Sequence, residues 1–135
     1  MIIAVDFDGI LCESAFPKIG KPHYPMVSFV RELIDEGHEV VLWTSRVEQQ
    51  LDEAVAWCED RGLHFCAVND NAPSNKKKYE GVYSTPTRKI FADIYIDDHN
   101  PVFMLWTHRD HGTDGVIVQY INQVKEVISK WHEEN

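Results

Sequence analysis

The chain is poor in the residues that would staple or anchor it. It has three cysteines, Cys12, Cys58 and Cys66, an odd number with no C-x-x-C pair, which speaks against both a disulfide framework and a zinc knuckle. Cys58, His64 and Cys66 are close in sequence, but their spacing matches none of the usual zinc-binding pairs. The thiols therefore read as buried packing groups. No apolar run reaches the length of a membrane span. The apolar start, Met1 to Asp6, is short and lacks the basic flank of a signal peptide, so a cytoplasmic location is expected. Basic residues are scarce as well, 13 against 22 acidic ones, for a net charge of −9. Such a surface repels nucleic-acid backbones and anionic membranes, and neither is expected as a partner. There are no repeats, low-complexity tracts or linkers, and the 135 residues suit a single domain, 1–135, with one core.

What is present alternates between two periodicities. Met1 to Val5 is the β-branched run of a buried strand and leads into Asp6-Phe7-Asp8-Gly9. Residues 10–25 hold Pro17, Gly20, Pro22 and Pro25 and read as an irregular loop. A helix is predicted from Met26 to Glu36, apolar at Val27, Val30 and Ile34 and stopped by Gly37. Glu39 to Trp43 is a second strand. Ser45 and Glu48 have the spacing of a capping box, predicting a helix to about Arg61 with Leu51, Val55 and Cys58 on its apolar stripe and Gly62 at its end.

Leu63 to Val68 reads as a third strand. Residues 69–87 form a long polar loop, functional or mobile by its length. The end of Ile90–Ile96 is a fourth strand, and Val102–Trp106 reads as a fifth. A helix from Asp114 to Trp131 carries Ile117, Ile121, Val124, Ile128 and Trp131 on its core stripe. His108 and His111 are expected on the surface or in a loop. The alternation implies an α/β fold, a doubly wound, Rossmann-like three-layer sandwich around a parallel sheet.

Three polar clusters share one placement. Asp6 and Asp8 follow the first strand, Thr44, Ser45 and Arg46 the second, and Asp97 and Asp98 the fourth. In a parallel sheet these strand ends face one edge, where ligands bind. Four carboxylates there repel one another unless a cation offsets them, and Mg²⁺ suits an all-oxygen donor set. In an extended segment Asp6 and Asp8 point to the same side, and Gly9 lets the backbone turn away tightly. The start of the helix after Thr44 offers N–H groups and a dipole to an anion. Together a metal, a carboxylate nucleophile and an anion cradle describe phosphoryl transfer.

These residues resemble the haloacid dehalogenase (HAD) superfamily of phosphohydrolases. Asp6-Phe7-Asp8-Gly9 is similar to its DxDx(T/V) motif, with Ile10 where Thr or Val is usual. Val40 to Thr44 resembles the hydrophobic strand ending in Thr or Ser. Lys89 has the placement of the third-motif lysine, and Ile96-Asp97-Asp98 resembles the strand ending in two aspartates. The resemblance implies a HAD-type fold with the first strand central and a phosphatase with Asp6 as nucleophile and Asp8 as general acid/base. It also implies Thr44 on the phosphoryl oxygens and Lys89 steadying their charge. Mg²⁺ would be held by Asp6, the Asp8 carbonyl and Asp97, with Asp98 either a ligand or a support to one. The gaps between the motifs suit a capless or minimally capped member, so the 11–25 loop, the 69–87 loop or a second subunit would choose the substrate, a phosphorylated small molecule or macromolecule.

Gly9, Ser45, Arg46 and His99 are the candidate substrate contacts. Ser45 serves equally as a helix cap, and Arg46 equally as a surface residue. Lys76-Lys77-Lys78 reads as a solvated loop that can also draw in an anion. Four tryptophans leave room for a homodimer. Two other classes of function use similar parts. One is a receiver-like phosphoacceptor, which places its acceptor Asp after the third strand, where this chain has Asn69-Asp70. The other is a retired enzyme that binds phosphate ligands without turnover.

Overall fold

The computed structural model describes residues 1–109 and 113–135. Four strands, β1 (Ile2–Val5), β2 (Glu39–Leu42), β3 (Ala67–Val68) and β4 (Ile94–Ile96), form an all-parallel sheet in the order β3-β2-β1-β4. Ile3 pairs with Val40 on one side and Ile94 on the other, so β1 is interior, as expected. The helices are α1 (Tyr24–Asp35), α2 (Glu48–Glu59), α3 (Pro73–Lys78), α4 (Pro101–Arg109) and α5 (Thr113–Glu134). His111 lies outside the described residues.

Strand order dictates the layers. β1 to β2 to β3 steps in one direction, and right-handed crossovers put α1 and α2 on the same face. The step from β3 to β4 runs back across the sheet, so its connection covers the other face. The core follows this division. Ile3, Val5, Val40 and Leu42 pack with Val27 and Val30 of α1, Ala54 and Cys58 of α2, and Ile117, Tyr120 and Val124 of α5. Ile2, Ala4 and Val41 point the opposite way and are covered by Ala72, Ile90 and Ala92. The second outer layer is thin, a connection with one short helix.

Four local expectations are corrected. Residues 102–106 are helical, not a fifth strand: Pro101 suits a first helical turn, and the Asn100 side chain accepts the Val102 N–H at 3.0 Å as a cap. The second helix starts at Glu48 without a side-chain cap, and Thr44 Oγ1 instead accepts the Arg46 N–H at 3.1 Å. The 69–87 loop contains α3. Cys12 and Cys58 are buried as expected, but Cys66 is exposed. The first helix ends as predicted, with Gly37 at φ +91° and the His38 N–H reaching back to the Leu33 carbonyl at 3.1 Å. No helix among the described residues is long and apolar enough to cross a membrane.

Candidate metal and phosphate site

The sheet order reverses between β1 and β4, and a crevice opens at the carboxyl ends of such neighbours. Asp6 follows β1 and Asp97 follows β4. The Asp6 N–H donates to the Ile96 carbonyl at 2.9 Å, and the Trp43 N–H to the Val5 carbonyl at 2.9 Å, so pairing continues past the strands and aligns their ends. The result is a cavity of about 560 Å³ lined by Asp6, Asp8, Ser14, Trp43, Thr44, Ser45, Asp97, Asp98 and His99. Carboxylate oxygens of Asp6, Asp97 and Asp98 lie within 4.8 Å of one another.

Each acid is held by a different device. Asp6 Oδ1 accepts the Phe7 N–H at 2.8 Å. Asp97 Oδ1 accepts the His99 N–H at 2.7 Å, and the Asp97 N–H donates to the Tyr120 hydroxyl of α5 at 3.1 Å. Asp98 Oδ1 is buried with no hydrogen-bond partner. Asp98 also approaches Gly9, where φ is +84° and a Cβ would collide with its carboxylate; glycine is required there for conformation and for space. Burial, the hydrogen bond to Asp98 and the charge of Asp97 push the Asp6 carboxyl up to about 8. An unpaired buried oxygen and a carboxyl that resists ionising are the marks of acids gathered without their counter-charge. An oxygen-only donor set of this kind fits a hard divalent cation.

Arg46 is neither a surface residue nor a free substrate grip. It is only 2% exposed. Its Nε donates to Asp8 Oδ2 at 2.8 Å and its Nη2 to Asp8 Oδ1 at 2.8 Å, a fork that fixes the carboxylate in plane. The same guanidinium donates to the Lys18 carbonyl at 2.8 Å and the Pro17 carbonyl at 3.2 Å, tying the 11–25 loop to the site. Asp8 holds the Arg46 charge in place and raises its pKa.

The sequence-predicted residues are sorted cleanly by this geometry. Asp6, Asp8, Thr44, Ser45, Asp97, Asp98 and His99 line one cavity, with Gly9 against it and Arg46 behind Asp8. Lys89 is not brought there. It is exposed and lines a second, larger cavity beside Tyr95. Three residues were missed. Trp43 and Ser14 line the acidic cavity, and Asn69 accepts the Thr44 N–H through Oδ1 at 2.8 Å. Trp43 was legible as the last residue of a strand that ends in Thr44; Ser14 and Asn69 carried no signal.

A solved structure of a conserved protein coded by a locus of Bacteroides thetaiotaomicron matches this fold with a TM-score of 0.64. The two are 35% identical, over 82% of this chain and 92% of that one. At that identity and span, the chain belongs to the same family as the Bacteroides protein. No protein-family model and no curated protein matches the chain.

Proposed function

We propose that this chain is a Mg²⁺-dependent phosphomonoesterase that works through an aspartyl-phosphate on Asp6. The observation that carries the reading is the convergence of Asp6, Asp97 and Asp98 at the reversal of strand order, within 4.8 Å, with one buried oxygen unpartnered. Asp6, the Asp8 carbonyl, Asp97 and Asp98 would hold the ion, which when bound draws charge from the phosphoryl oxygens.

The chain's own groups do the rest. An Asp6 oxygen attacks phosphorus, and the bond from phosphorus to the leaving oxygen breaks as Asp8 delivers a proton to that oxygen. Water then attacks the phosphorus held on Asp6 and passes a proton to Asp8. The bond to Asp6 breaks, and inorganic phosphate leaves with both acids restored. The Arg46 fork takes one lone pair from each Asp8 oxygen and leaves others for the proton, so it aims the acid/base without blocking it. The Thr44 hydroxyl accepts from the Arg46 N–H, which leaves its own O–H to donate to a phosphoryl oxygen.

The receiver-like alternative needs Asp70 as acceptor. That side chain is exposed and bonded to Lys76, away from the acid cluster, which favours Asp6. Purified protein with Mg²⁺ is expected to hydrolyse 4-nitrophenyl phosphate. EDTA should stop it, and Asp6→Asn should cut the rate about a thousandfold or more. A wild type that turns over no member of a phosphoester panel sinks the proposal.

A further inference from the structure

We propose that the larger cavity is the leaving-group subsite of this phosphatase and takes a planar ring that carries an anionic group. The inference rests on the phosphatase reading. The cavity measures about 720 Å³, within the range of small-molecule sites, about 300–1,000 Å³. Among the described residues the two cavities share no lining residue, and Trp43 is the residue nearest to bridging them. The Trp43 side chain lines the acidic cavity and packs on the apolar cluster that contains Ile90 and Ala92. Those two residues, with Tyr95, line the larger cavity.

Residues 69–71 tie Thr44 of one cavity to Phe91 of the other. Thr44 donates to Asn69, at the end of β3, and two residues on Asn71 Oδ1 accepts the Phe91 N–H at 2.8 Å. On this proposal a group leaving phosphorus at Asp6 would pass Trp43, which lines the acidic cavity, to reach the larger one.

The lining states what it would accept. Tyr79, Tyr83, Phe91 and Tyr95 present aromatic rings, and Tyr83 and Phe91 are 69% and 50% exposed, with ring surface unspent on the core. Rings of this kind select planar partners. The charged side chains lining it, among the described residues, are Asp70, Lys76 and Lys89. Asp70 is taken by Lys76, which leaves Lys89 as the uncompensated cation in a chain of net charge −9. Its Nζ stands 5.8 Å from the Tyr95 ring centroid, beside the space a ring would fill. This gives Lys89 a use where it actually lies.

The test compares kcat/KM for glycerol 1-phosphate, 2-naphthyl phosphate and 6-carboxy-2-naphthyl phosphate, using the full chain with Mg²⁺. Ratios between esters in one variant, divided by the same ratios in wild type, cancel both leaving-group reactivity and partial unfolding. Phe91→Ala and Tyr83→Ala together are expected to lower the naphthyl-to-glycerol ratio about tenfold. Lys89→Gln is expected to lower the carboxynaphthyl-to-naphthyl ratio about fivefold. If wild type is active and the first ratio does not move, the subsite is overturned and the phosphatase stands. An unmoved second ratio overturns the anionic part. A wild type inactive on all three esters overturns the phosphatase and the subsite together.

Discussion

The two cavities differ in how their walls are made, and each contains an ion pair that records the difference. In the acidic cavity the walls are strand ends, set by parallel register and by hydrogen bonds that run past the last paired residues. Its ion pair, Asp8–Arg46, is a two-bond fork with the guanidinium 2% exposed. In the larger cavity the walls are the connection from β3 to β4, exposed at every position from 79 to 89. Its ion pair, Asp70–Lys76, joins two half-exposed side chains by a single contact. The comparison teaches a division of labour. The acids that lie within 4.8 Å of one another are positioned by the sheet, and the aromatic and charged groups of the larger cavity by a connection.

That contrast can be broken by experiment, beginning with the largest effect. Asp8→Ala leaves the buried Arg46 charge with two main-chain carbonyls and the rings of Phe7 and Phe16 but no counter-ion, and should cost about 3 kcal/mol of stability in urea unfolding. A loss below about 1 kcal/mol would mean that the fork is no firmer than a surface contact. The second effect concerns Asp6. Its folded-state pKa of about 8 lies above the ordinary carboxylate value of 3.8, so between those values the folded chain binds a proton that the unfolded chain has released. Stability from this group is complete below pH 3.8, falls as pH rises, and is gone once pH passes about 8. Metal-free protein should therefore lose Tm across that window, by roughly 5 °C. Asp6→Asn should flatten the slope and be the more stable protein at pH 8. Equal slopes in the two proteins would contradict the crowding of acids at β1 and β4. The smallest effect belongs to the other cavity: Asp70→Asn should change stability by less than about 1 kcal/mol, and the change should fade further in high salt.

How much of this was legible in the sequence follows the same line. The parallel α/β architecture and the acids at the ends of β1 and β4 could be read from short apolar runs, two of which end in Asp, while the third strand, read as 63–68, pairs only at Ala67–Val68. The strand reading of 102–106 failed because Val102, Phe103 and Trp106 suit either structure, and the start signal Asn100-Pro101 decides. Arg46 looked like the surface of a helix because its partner, Asp8, is 38 positions away and nothing local announces the fork. Lys89 was misplaced for a related reason. A lysine in a polar stretch has no periodicity to fix it, and the path of its backbone is set by distant contacts such as Asn71 to Phe91.

Gly9 has one more consequence. Asp98 reaches Asp6 through the gap that a side chain at Gly9 would fill, and it arrives on the last strand to be paired. During synthesis β1 and β2 can dock while β4 is still unmade, so the first two aspartates emerge long before their partners. The acidic cluster then forms only on closing a loop that spans most of the chain, the slow class of contact in folding. A growing chain cannot gather these acids early, so the cluster is completed only by the arrival of β4 and reports that the sheet is formed.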